Sequence, residues 1–81
     1  MYQKIDQAIS VVGIYQNQHF FPKKFKWQAR ILPVDQVTLF NNLRDGIIKK
    51  RLYSVLSEGN LYRLEFNRDS EQWKILEIWV E

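Results

Sequence analysis

The sequence predicts a small all-β domain: a curled meander or partly open SH3-like or OB-like barrel of five to six short antiparallel strands. Three observations carry this. Period-2 alternation of apolar and polar residues recurs along the chain, and no stretch sustains a helical stripe over three turns. Turn signals punctuate the alternating runs at short intervals. With only 81 residues, an open sheet would leave long unpaired edges, so the strands are expected to curl towards closure.

Each element follows from its residues. Ile9 to Tyr15 (ISVVGIY) is β-branched, bounded by polar QNQH, and reads as a strand in which Gly13 permits curvature. Residues 1–8 are set apart as an arm or extension of the single domain spanning 1–81. Pro22 pushes Phe21 towards extended geometry. FKWQARI is then read as one strand, with Phe25, Trp27, Ala29 and Ile31 facing the core. Lys24, Lys26, Gln28 and Arg30 would face solvent. Pro33 marks a break or bulge. For residues 35–43, strand is favoured over a short helix capped by Asp35, because Val37 and Thr38 are stiff at χ1.

Asp45-Gly46 is a turn, followed by the alternating run IIKKRLYSVLSEG; Ser57 to Asn60 connects a hairpin with Gly59 or Asn60 at positive φ. In the returning strand Tyr62, Leu64 and Phe66 point to one face. The last strand, WKILEIWVE, places Leu76, Ile78 and Val80 on one side and Trp73, Ile75 and Trp79 on the other.

Composition excludes several functions. The chain is 46% hydrophobic and rich in aromatics, far from the signature of disorder. With no cysteine it forms no disulfide and has no thiolate chemistry. A lone histidine, His19, leaves too few ligands for zinc, and it reads as a surface or packing residue. The aspartates make no calcium loop. Gly13, Gly46 and Gly59 are too far apart for a phosphate-binding loop. No serine is marked as an activated nucleophile, and Glu65 and Glu77 are explained as solvent-facing strand residues. No cofactor, metal or catalytic residue is expected. The amino terminus lacks a signal-peptide pattern, and no run approaches a membrane span of about 18 apolar residues, so a cytoplasmic location is expected.

Charge is segregated. Eight cations lie between Lys23 and Arg51 against Asp35 and Asp45, a local net of +6, while the remainder sums to −3. This predicts a non-enzymatic binding module, and two partner classes stay open. One is weak, sequence-independent nucleic-acid binding through Lys24, Lys26, Arg30, Lys49 and Arg51, with Tyr53 as a stacking platform. The other is a protein-interaction or structural accessory module using an apolar surface of Trp73, Ile75 and Trp79.

The pattern Phe25-x-Trp27-x-x-Arg30-x-x-x-Val34, followed by the paired hairpin of Tyr62–Asn67 and Trp73–Trp79, resembles a family of short, functionally uncharacterised bacterial proteins. The likeness spans roughly residues 9–81. It implies an all-β fold and, through similarity to proteins encoded beside error-prone polymerase components, a link to DNA maintenance. It carries no site residues. Family members have glycine where this chain has Ala29.

Overall fold

A computed structural model describes residues 1–80. Seven antiparallel strands follow in chain order: β1 (Tyr2–Gln16), β2 (His19–Trp27), β3 (Arg30–Pro33), β4 (Gln36–Asp45), β5 (Ile48–Ser57), β6 (Asn60–Asn67) and β7 (Gln72–Trp79). They form one sheet in the order β3-β2-β1-β7-β6-β5-β4. The all-β, curled, partly open barrel is therefore as the alternation predicted. Of residues 35–43, Gln36 onwards is strand, and none is helical.

Four connections are two-residue hairpin loops: Asn17-Gln18, Gln28-Ala29, Gly46-Ile47 and Glu58-Gly59. All but the third have both loop residues at positive φ, the twist that matches flanking strands. The second corrects the reading of FKWQARI as one strand. Gln28 (φ 52°) and Ala29 (φ 61°) turn the chain, so Trp27 pairs with Arg30. The turn reverses the strand's parity: Leu32, opposite Phe25, is buried, while Ile31, opposite Lys26, and the loop residue Ala29 are exposed and do not face the core. The extra hairpin also makes the strand count seven rather than five or six.

β3 and β4 run in the same direction with only Val34 and Asp35 between them. Val34 N–H bonds the Lys23 carbonyl on β2, and Asp35 N–H bonds the Leu56 carbonyl on β5, both at 2.8 Å. The two strands are thus one bent course that leaves β2 and joins β5. Above this crossing β2 and β4 diverge. The gap between them, about 240 Å³, is lined by His19, Phe20, Phe21, Pro22, Val37, Phe40 and Tyr53.

The amino-terminal residues are not an arm. Tyr2 to Ile9 pairs along β7, from Tyr2 opposite Trp79 to Ile9 opposite Trp73. Those residues supply the ladder that joins the two ends of the chain and curls the sheet. Asp6, at φ 55°, sits where the β1–β7 register shifts, and its carboxylate pairs with Lys74 at 3.3 Å.

The core is Phe25, Leu32, Tyr53, Val55, Tyr62, Leu64, Ile75 and Ile78, with Ile5, Ile9, Val11, Trp27, Val34, Val37, Phe66 and Trp73 packed against it. Phe25, Trp27, Tyr62 and Phe66 face inwards as their periodicity predicted. β7 departs from simple alternation. Ile75 and Ile78 are both buried, because Leu76 is an extra residue between the pairs Leu64–Ile75 and Arg63–Glu77. A bulge of this kind flips the strand's parity, which places Trp73 and Ile75 on the same side as Ile78.

Candidate functional site

The antiparallel course gathers the loops Asn17-Gln18, Gly46-Ile47 and Arg68–Glu71 at one end of the barrel. The register then stacks side chains of the concave face in rows. In the row at core level, Phe40 pairs with Tyr53, Tyr53 with Leu64, and Leu64 with Ile75. One step towards the mouth, Asn42 pairs with Arg51, Arg51 with Phe66, and Phe66 with Trp73. At the rim, Arg44 stands directly opposite Lys49, and the Arg68 N–H donates to the Lys49 carbonyl at 2.8 Å.

Like charges directly opposite across strands are destabilising. A carboxylate between them would relieve the repulsion. Among the described residues the ion pairs engage Arg30, Lys50, Arg63 and Lys74; none engages Arg44, Lys49, Arg51 or Arg68. Asp45, the nearest acid in sequence, reaches Lys50 at 3.7 Å. Arg44, Lys49 and Arg68 line a shallow depression with Asn42 and Leu43. Beside it, Leu43, Ile47 and Ile48 of the β4–β5 hairpin are exposed, Ile47 almost completely.

Beneath the rim lies a continuous chain of rings. His19 packs on Phe40 (6.4 Å between centroids), Phe40 on Tyr53 (5.1 Å), and Tyr53 on Trp73 (5.4 Å). Trp73 also meets Phe66 at 4.9 Å and Phe20 at 5.7 Å, and Phe20 meets Tyr15 at 5.1 Å. Gly13 makes room for Phe20. A Cβ there would collide with the Phe21 carbonyl oxygen and stand 2.6 Å from the Phe20 ring. Arg51 is set among these rings. Its Nε is buried without a hydrogen-bond partner, and a half-enclosed cavity of about 40 Å³ is bounded by Arg51, Tyr15, Phe20, Tyr53, Phe66 and Trp73.

Burial raises the pKa of the Tyr53 phenol above its ordinary 10.0, and the neighbouring Arg51 guanidinium opposes that shift. The hydroxyl donates a long bond to the Phe20 carbonyl at 3.4 Å. Tyr53 is only 3% exposed, so it supports the mouth from below and is not itself a platform.

The residues predicted from charge separate into three places. Lys24 and Lys26 project from the convex face of β2, beside Ser10, Val12 and Ile31. Lys49 and Arg51 belong to the concave mouth. Arg30 lies at the opposite end of the barrel, bound to Glu58 at 3.1 Å. The Gln28-Ala29 turn is the reason: it moves Arg30 off the face shared by Lys24 and Lys26. A single basic track through all five cations is not formed. Arg44 lies within the basic segment of the sequence and Arg68 outside it; the signal that unites them is the cross-strand register, which adjacent sequence positions do not display.

The apolar surface expected around Trp73, Ile75 and Trp79 is dispersed as well. Ile75 is fully buried, Trp73 is packed within the ring cluster, and Trp79 lies edge-on to Tyr2 at 4.7 Å. Among the described residues no group of three or more His, Asp or Glu side chains could hold a metal ion. Among the described residues no helix is long and apolar enough to cross a membrane. The chain matches no protein-family model, no curated protein sequence and no solved structure.

Proposed function

We propose that this small open barrel is a non-enzymatic module that binds single-stranded nucleic acid at its mouth, weakly and without sequence preference. The observation that carries the reading is the juxtaposition of Arg44 with Lys49, joined by Arg68, with no carboxylate among the described residues paired to any of them. A polyanion relieves that repulsion, since each phosphate neutralised releases condensed counterions. Rings at the same end offer faces to unpaired bases: Tyr15 is 72% exposed and Phe40 39%. Stacking of this kind tolerates any base. A duplex keeps its base faces covered and offers only phosphates, so single strands are the better ligand.

The supporting cations differ from those suggested by sequence proximity. Lys49 and Arg51 stay in the site; Lys24, Lys26, Arg30 and Tyr53 leave it. Fluorescence anisotropy with a labelled single-stranded oligonucleotide of mixed sequence tests the reading. Micromolar binding is expected at low salt, with a clear loss for the combined variant Arg44→Ala, Lys49→Ala, Arg68→Ala. Unchanged affinity in that variant would overturn it.

A further inference from the structure

We propose that the cavity beside Arg51 receives a terminal phosphate monoester of the bound strand, so that the mouth recognises a chain end. This rests on the nucleic-acid reading above and adds a ligand group to it. The starting point is Arg51, the one cation bounding the cavity, which among the described residues pairs with no carboxylate. A guanidinium presents several donors in a planar fork suited to phosphate oxygens.

Size narrows the choice. A single water needs about 10–15 Å³ of such space, so a cavity of about 40 Å³ admits a group of a few oxygens and excludes a base or sugar. Its walls are side chains of Tyr15, Phe20, Tyr53, Phe66 and Trp73, which contribute little to anion binding beyond excluding water. An internal phosphodiester is flanked by sugars on both sides and is held at the rim. A terminal monoester has three free oxygens and carries up to two negative charges at neutral pH. It can enter while the rest of the strand runs over Lys49, which lies two residues along the same strand and the same face, about 7 Å from Arg51. The rim cations would then hold internal phosphates, and Arg51 the end.

The test compares one internally labelled oligonucleotide in three forms: 5′-phosphorylated, 3′-phosphorylated and without a terminal phosphate. One or both phosphorylated forms should bind about tenfold more tightly than the third, the gain of one charge-assisted contact. Arg51→Gln should bring that ratio close to one, the phosphorylated forms losing more affinity than the unphosphorylated one. Because Arg51→Gln could unsettle the ring cluster, a wild-type measurement accompanies it: inorganic phosphate should compete away the advantage of the phosphorylated form before it displaces the unphosphorylated one. Equal affinity of the three forms in wild type would overturn the end-recognition inference and leave the nucleic-acid reading standing. Failure of all three to bind would overturn both.

Discussion

Two residues show how local chemistry sets testable costs. Ala29 occupies φ 61° in the Gln28-Ala29 loop, a region where a Cβ costs about 1–2 kcal/mol relative to glycine. Part of that is offset by the greater freedom of glycine in the unfolded chain. Ala29→Gly should therefore stabilise the protein by about 0.5–1 kcal/mol, a rise in Tm of roughly 3–6 °C. A calorimetric scan showing no rise would contradict the strained turn. Tyr53 makes the second case. Burial favours its neutral form and raises its folded pKa above 10.0, so the native state holds this proton more tightly than the unfolded chain. The resulting stability is complete below the unfolded value and is lost as pH rises through the folded one. Denaturant unfolding at about pH 8 and about pH 11 should show Tyr53→Phe gaining relative to wild type at the higher pH. A constant difference would contradict the buried phenol. What the sequence made legible at this scale was which side chains face inwards on unbroken strands, such as Phe25, Tyr62 and Leu64. The surroundings of Arg51 were not legible, because the rings around it come from β1, β2, β5, β6 and β7.

Elements were legible wherever alternation met a strong turn signal. Asp45-Gly46 and Glu58-Gly59 stand where hairpin chemistry places them, and β6 follows with Tyr62, Leu64 and Phe66 on its inward face. Alternation failed where the chain changed parity silently. Gln28-Ala29 carries neither glycine nor proline, yet it turns and moves Arg30 to the far end of the barrel. The extra Leu76 in β7 reverses the faces downstream, and no residue type announces it. The strand curvature expected at Gly13 agrees with the register shift between Val12 and Gly13 on β1. Its backbone neighbours leave no space for a side chain. Gly13→Ala should cost about 2 kcal/mol, the scale of an overpacked core position, and lower Tm by about 10 °C. It should also displace Phe20 from the ring cluster, visible as a change in Trp73 fluorescence. A variant with wild-type Tm and emission would contradict the close approach of β1 and β2.

At the scale of the whole molecule, the barrel sorts a basic segment that looks continuous in sequence onto separate surfaces. Curling puts Lys24 and Lys26 on the convex side and Arg44, Lys49 and Arg51 on the concave side, while the β6–β7 loop adds Arg68 from outside the segment. The fold class needed only periodicity and length. The site needed register, which depends on which strands meet, and the pairing of β1 with β7 joins residues more than 60 positions apart. The central claim is that the mouth, and not the convex face, binds the polyanion. The salt dependence of oligonucleotide affinity tests it most directly. With Arg44, Lys49 and Arg68 each neutralising one phosphate, log affinity should fall against log salt with a slope of about −2, from about 0.7 per contact on single strands. The triple variant of those residues should bring the slope near zero, and Lys24→Ala with Lys26→Ala should leave it unchanged. A slope that survives the loss of the mouth cations and disappears with Lys24 and Lys26 would contradict the account.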